Sequence, residues 1–535
     1  MLKMEVYKVK RLLIIFLIIA MVLSSFAGCV STSVEEEADD EDKDVVSEDE
    51  EDEDEEDEEG DGENTDDEDV ESDEENTDDE DTASEDDEES TEDEESESEK
   101  EDTTETNIGE EESFDTEETE ESVESTETEE TESETKKETE KETEKEKPTF
   151  NVKESTAGLK FELNEDGLSY TLVDVGTAIS KSEVVIDGHD GLPVTKIGYS
   201  AFDNSVRKNT KLTKVTIGDY VEVIDCYAFS HCSKLTAVVM GDGVKEIRLG
   251  AFRYCSALTS IKLGNSVEYI ADSAFYKSTK LASITMPTTV RYIEDYAFEN
   301  TAYYNDSSKW EKNALYIGKY LIKLKSDSSG TVNVKDGTLV IADNALANCK
   351  SVSKVVIPNS VVSIGKKAFK NCTNLATFDM GTGVRNIGEE AFVNTKYYNT
   401  SSNWANYVLY VGKYLVNAKP AISGSYTVKT GTLAIADSAF ASCQNLSTLS
   451  LPTGVVTIGE YAFFDCVKLT GITIKSGIKT IKPFAFKNCM KLTSITLPEY
   501  SGWKVDGEAV TDTLVNKTDA VMLLGSVYAD KTWTK

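Results

Sequence analysis

The dipeptide Ala-Phe recurs at a fixed interval, and that interval restricts the fold more than any other feature of the chain. It stands at Ala201, Ala228, Ala251, Ala274 and Ala297, returns at Ala368 and Ala391, and returns again at Ala439, Ala462 and Ala485, with Ala345-Leu346 filling one more slot. From Phe229 onward the spacing within blocks is 23 residues, and the two large gaps, Phe298 to Leu346 and Phe392 to Phe440, are both 48. One unit reads LTSIKLGNSVEYIADSAFYKSTK, from Leu258 to Lys280. Leu258-x-x-Ile261-x-Leu263 suits a short strand, a Gly or Pro such as Gly264, Pro358 or Pro452 turns the chain, and Val267-x-x-Ile270 supplies a second apolar pair. The Ala-Phe then points inward from a tight turn. No single unit can bury its own apolar side chains, but stacked units line them into ladders at ~4.8 Å per rung. The pattern predicts a parallel repeat solenoid, β-rich, with short strands and tight turns.

These elements, L-x-x-I-x-L, V-x-x-I, A-F and C-x-x-L in constant register, resemble the BspA-like class of leucine-rich repeats over roughly residues 150–535. The resemblance implies a surface protein of an adhesin type. Repeats are expected over 211–498, with an N-terminal cap and first repeat over 148–210 and a C-terminal cap over 499–535. GLKFELNEDGLSYTLVDV and EVVIDGHDGLPVTKIG at one end, and the segment holding Trp503 and Trp533 at the other, are off-period. Such segments are what a solenoid needs to cover its open ends.

The chain before residue 148 is of another kind. The formal net charge is −51, but residues 1–147 carry 68 acidic and 11 basic side chains (−57), leaving 36 and 42 (+6) for the rest. Lys3, Lys8, Lys10 and Arg11 precede the twelve apolar residues Leu12–Leu23, a core short of the roughly 20 residues a membrane span needs. FAGC, ending at Cys29, resembles the lipobox of bacterial lipoproteins, with Phe26 where Leu is usual. By that resemblance residues 1–28 are a signal peptide and Cys29 is the lipidated N-terminus, each buried CH₂ of its acyl chains adding about 0.8 kcal/mol of membrane affinity. Residues 29–147 are almost wholly Glu, Asp, Ser and Thr, with too little apolar surface to offset the entropy of ordering, so a disordered acidic stalk is expected. Asp57, Glu59, Asp61, Gly62 and Glu68 nearly match a calcium loop, but no amphipathic helix flanks them and the match is expected by chance in so acidic a stretch.

Cys232, Cys255, Cys349, Cys372, Cys443, Cys466 and Cys489 each follow the inward Phe or Leu by three, and Ser278, Thr301 and Thr395 take the same slot elsewhere. Exchange with Ser and Thr selects a small side chain, not a ligand or nucleophile. Cys226, His231 and Cys232 are the only local group with zinc-ligand chemistry, there is no Cys-x-x-Cys, and no metal is expected. Parallel Cβ vectors at ~4.8 Å oppose disulfides, which want about 3.8 Å, so buried free thiols acting as small hydrophobic filler are expected. No phosphate loop, GxSxG or HExxH occurs. The expectation is a non-enzyme with no catalytic residues and no cofactor. Carboxylates such as Asp225, Glu268 and Glu389 are read as outward and solvated, and the thinly spread +6 gives nucleic acid no basic stripe.

Two features could carry recognition. One is the outward strand face, formed by Thr216, Val239, Lys262, Thr285, Val356, Asp379, Ser450, Thr473 and Thr496, or else simply a solvated sheet. The other is a pair of 25-residue insertions, about 301–330 and 395–425, which share Tyr-Tyr-Asn, Ser-Ser, Trp and Leu-Tyr-x-Gly-Lys-Tyr-Leu 94 residues apart. Their Tyr303, Tyr304, Trp310, Tyr397, Tyr398 and Trp404 are candidate ligand contacts, or else the insertions' own small core. The expected function is a lipid-anchored, monomeric protein on the outer face of the bacterial membrane, presenting the solenoid to an extracellular protein or polysaccharide. A passive spacer or an extracellular enzyme are the alternatives.

Overall fold

The computed structural model describes residues 148–208, 211–509 and 517–535. The segment read as signal peptide, Cys29, the acidic stretch to residue 147 and the calcium-like loop at Asp57 lie outside the described residues. From Leu159 to Trp533 one continuous apolar core runs through a β-solenoid of about 14 turns at the 23-residue spacing.

Each coil carries two strands. The first is the strand read from L-x-x-I-x-L: Ser260–Lys262 pairs in parallel with Ser283–Thr285, so that Ile261 meets Ile284 and Lys262 meets Thr285, each with its counterpart 23 residues on. Ile261 is buried between exposed Ser260 and Lys262, the period-2 alternation of a half-buried strand. The second strand is only two residues long. Tyr269–Ile270 pairs in parallel with Glu246–Ile247 before it and Tyr292–Ile293 after it, which makes the V-x-x-I element a second sheet. An apolar pair with no alternation around it gave no strand signal in the sequence.

The Ala-Phe turn follows. The residue before Ala takes a left-handed conformation, as at Tyr227, Ser273, Lys367 and Phe484, and so does the second residue after Phe, as at Tyr254, Asn371 and Asn488. That conformation costs a non-glycine residue roughly 1–2 kcal/mol. It is held because it aims the turn's amides at the next coil: Phe229 N–H donates to Ala251 O, Phe252 to Ala274 O and Phe369 to Ala391 O, all at 2.8 Å. Asn fills the second left-handed site at 300, 348, 371, 394 and 488, where its short polar side chain lowers the penalty. The phenylalanines are buried. Their rings stack coil on coil, 5.0–5.5 Å between centroids from Phe202 to Phe298 and from Phe440 to Phe486.

The seven cysteines three residues past Phe or Leu are free thiols, six of them buried. They are more than filler. Cys255 Sγ donates to Phe229 O at 3.2 Å, Cys372 to Leu346 O at 3.0 Å and Cys466 to Phe440 O at 3.2 Å, and Ser278 Oγ does the same to Phe252 O at 2.9 Å. Cys and Ser exchange because both donate to the coil before. Thr301 and Thr395 differ: each accepts from the backbone N–H three residues on, capping the short helices Ala302–Asn305 and Lys396–Asn399 that begin the insertions.

The insertions divert the short-strand sheet. Tyr320–Leu324 closes an antiparallel hairpin with Ala314–Ile317 and then takes the parallel place beside Val340–Ile341, while Asp343 N–H to Ile293 O at 2.9 Å keeps a backbone link to the coil before. Tyr414–Ala418 repeats this beside Ala434–Ile435, with Asp437 N–H to Ile387 O at 2.9 Å. At the far end, buried Trp533 pairs antiparallel with Ile481 and lies 6.4 Å from the ring of buried Trp503.

Two measurements check this packing. Phe369→Ala should cost about 3–5 kcal/mol, and hydrogen exchange should quicken first at the neighbouring Ala345-Leu346 and Ala391-Phe392 turns. Burial pushes the Cys372 thiol up to about 12. It should therefore stay unlabelled by thiol reagents at neutral pH until the array unfolds, and Cys372→Ser, which keeps a donor, should shift stability by less than about 1 kcal/mol.

Candidate binding site

The outward strand face is in register as expected. Thr216 stands beside Val239, Lys262 beside Thr285, Val356 beside Asp379, and Ser450, Thr473 and Thr496 form a row. Each of these side chains is exposed or half-exposed. Of these nine residues only Lys262 and Asp379 are charged.

The six insertion aromatics are half-buried, and most of their polar atoms are used at home. Trp310 Nε1 donates to Tyr304 O at 2.8 Å and Tyr303 Oη to Tyr316 O at 2.9 Å. The second insertion repeats both bonds, Trp404 Nε1 to Tyr398 O at 2.7 Å and Tyr397 Oη to Tyr410 O at 2.9 Å. Each Tyr-Trp pair meets edge to face, and a lysine lies over each indole, Lys325 at 5.3 Å and Lys419 at 4.4 Å from the ring centroid. Tyr304, Trp310, Lys325 and Asp327 line an open groove of about 480 Å³. The insertions thus build their own cores and still present a Tyr-Trp-Lys edge at each.

An enclosed polar feature lies on the other sheet. Tyr292 and Lys482 are six coils apart, roughly 29 Å along a flat sheet. Yet the Lys482 ammonium lies 5.1 Å from the Tyr292 ring centroid. The short-strand sheet therefore curves inward, and a cavity of about 370 Å³ lies within the bend. Glycines permit the close approach of its rungs: a Cβ on Gly365 would stand 2.3 Å from Asp343 Oδ1, and one on Gly388 2.4 Å from Lys366 N. The charged lining comes from the two positions after the Ile of V-x-x-I in successive coils: Glu294, Asp343, Lys366, Asp437, Glu460 and Lys482.

The electrostatics are uneven. Lys482 and Asp437, 7% and 8% exposed, form a bidentate pair at 2.9 and 3.0 Å. Burial alone would lower the Lys482 ammonium, but Asp437 and Tyr292 raise it, so it stays charged. Asp343 accepts from Lys366 N at 2.7 Å but is pushed up to about 8 by burial and then by Glu294. Burial, then Asp437, raises Glu460 as well. Burial raises the Tyr269 and Tyr292 hydroxyls.

None of these six charges was singled out in the sequence, where carboxylates of the array were read as solvated. Glu268 and Glu389 are exposed. Asp225 corrects that reading: it is buried, with Lys196 Nζ at 2.5 Å and Arg248 Nη1 at 3.2 Å. The missed signal was opposite charges at the same two slots of neighbouring coils. Among the described residues one group gathers metal-ligand atoms, Glu154, His189 and Asp190, and Glu154 and Asp190 are exposed. No helix of the described residues is long and apolar enough to cross a membrane.

A family described as "BspA type Leucine rich repeat region" matches residues 195–327, 306–416 and 424–507, with six copies. No curated protein matches the chain. Several solved structures are similar, among them the following three. A leucine rich cell surface protein from Faecalibacterium prausnitzii is 22% identical, covering 65% of this chain and 95% of its own, with a TM-score of 0.24. The leucine rich repeat protein of T. pallidum is 18% identical over 64% and 91%, TM-score 0.21. The pneumococcal vaccine antigen PcpA is 17% identical over 65% and 82%, TM-score 0.25. The matched family is one of structural repeats, and no catalytic family is indicated.

The lining generates two expectations. Asp437→Asn strands a buried ammonium and should cost about 3–5 kcal/mol by chemical denaturation. Asp343 binds its proton more tightly folded than unfolded, so its contribution is complete below the ordinary carboxyl value of 3.8 and is lost as pH rises to about 8. Denaturation midpoints of Asp343→Asn, which keeps an acceptor for Lys366 N, should lack that decline and exceed wild type in mild alkali.

Proposed function

This chain belongs to the BspA-type leucine-rich repeat family, and from that premise we propose that it is a bacterial cell-surface lipoprotein whose solenoid binds an extracellular protein or polysaccharide. The observation that carries the binding half is the duplicated insertion. Two segments 94 residues apart present the same half-exposed Tyr-Trp edge with a lysine over the indole. A spacer has no use for a repeated aromatic edge, whereas a polymeric or extended ligand can engage both, and two linked contacts bind far more tightly than one. The anchoring half rests on the FAGC sequence at Cys29 and on the acidic run after it, whose negative charge opposes close approach to an anionic surface.

Cys29→Ala should abolish incorporation of labelled palmitate and release the protein into the medium. Retention on the membrane without label would point to an uncleaved anchor. For binding, the soluble protein is applied to glycan and extracellular-matrix arrays, where capture is expected. Trp310→Ala with Trp404→Ala should remove that capture. Because each indole also donates to a backbone carbonyl, the pair should lower stability by a few kcal/mol, so capture is read well below the shifted melting transition. Unchanged capture would retire the insertions and move the search to the strand face around Thr216, Lys262 and Asp379.

A further inference from the structure

We infer that the cavity in the bend of the short-strand sheet is a saccharide site, taking one or two sugar rings, separate from the insertions and independent of the anchoring proposal. Its walls come from coils far apart in sequence, joined across the bend by the Lys482–Asp437 pair and by the approach of Lys482 to Tyr292. That pair is buried and mutually satisfied, so it fixes the shape of the cavity before any ligand arrives. At about 370 Å³ the space lies within the range of small-molecule pockets.

The chemistry of the walls selects the class. An anion would face Glu294, Asp437 and Glu460. An organic cation would face Lys366 and Lys482 and would find the Tyr292 ring already beneath an ammonium. A neutral polyhydroxylated ligand is opposed by neither, since each hydroxyl can donate to a carboxylate or accept from an ammonium. Several groups stand ready for it. The Asn386 amide and the Thr480 and Thr532 hydroxyls line the cavity and make no hydrogen bond among the described residues. Lys366 Nζ lies 3.7 Å from Glu294 Oε1, too far for a hydrogen bond, which leaves its donors for a ligand. Tyr269, 6.2 Å from Tyr292 and inclined at 56° to it, gives an apolar wall for the C–H face of a pyranose ring, the Tyr292 ring being covered by Lys482. Convergent, unspent donors and acceptors beside aromatic carbon are what a sugar requires and what a merely structural ion network would not leave.

The test uses the soluble full-length protein and a panel of mono- and disaccharides, with spermidine and inorganic phosphate as ionic probes, in saturation-transfer NMR and calorimetry. At least one neutral saccharide should bind and neither ionic probe should. Asn386→Ala and Lys366→Ala, both at the cavity lining with circular dichroism as a check, should each weaken that saccharide about tenfold, the loss of one good hydrogen bond. The Trp310→Ala, Trp404→Ala protein should keep full saccharide affinity, so this inference and the insertion proposal can fail separately. Absence of any saccharide signal, binding of spermidine or phosphate in place of sugars, or sugar binding that survives both lining variants overturns the site.

Discussion

The whole array depends on a turn that enters the left-handed region twice within five residues. Only that path brings the Ala-Phe amides around to face the next coil, and only then do the phenylalanine rings fall over one another. The conformational penalty of roughly 1–2 kcal/mol per left-handed residue is met by the inter-coil hydrogen bonds and by burial of a Phe side chain, about 1.5–3 kcal/mol. Neither gain is available to an isolated unit. A coil is therefore unstable alone and stable in a stack, which is why every feature of the fold repeats at the same 23-residue interval.

The repeat, its parallel stacking and its inward phenylalanines were legible because they are written as apolar periodicity. What was not legible is whatever depends on a neighbour one coil away. Tyr227 and Lys367 adopt positive φ with no local cue, since the hydrogen bond that enforces it belongs to the next unit. The thiols looked like filler because the carbonyl each one reaches lies 24–30 residues back. Asp225 looked solvated because its partners, Lys196 and Arg248, sit in the coils on either side. The two-residue strands gave no alternation to read. The cavity is the extreme case: its charges are legible as charges, but the curvature that gathers them over six coils is not.

The insertions show how a rigid frame is varied without being broken. Each leaves the array at a Thr that caps a helical turn, in the slot where other coils place a thiol, and returns through a strand that takes the place of the preceding coil. The tyrosines are used the same way twice. Tyr414 donates to Gly381 O at 2.6 Å, and Tyr320 makes the matching bond to Pro287 O, tying each hairpin back to the block it interrupts. A segment so tied can change its exposed edge while the core ladder on either side continues.

The same division between fixed and free positions bears on where recognition can arise. In each coil the Ile of V-x-x-I, the Ala and the Phe are held by packing, and the residue before Ala is held by its backbone angle. The two positions after Ile answer to neither demand. Where the sheet is open they hold Arg248 or Asp272. Where it bends, Gly at the first of them lets the rungs close up and a charged residue at the second is carried inward, as at Gly365-Lys366 and Gly459-Glu460. Substituting those charged residues alters the lining of the cavity without touching the Phe ladder or the turn. Exceptions are the members locked in the Lys482–Asp437 pair, because removing one partner leaves the other buried and uncompensated. A curved repeat array can thus hold its shape through a few paired charges while its remaining lining is free to follow the ligand.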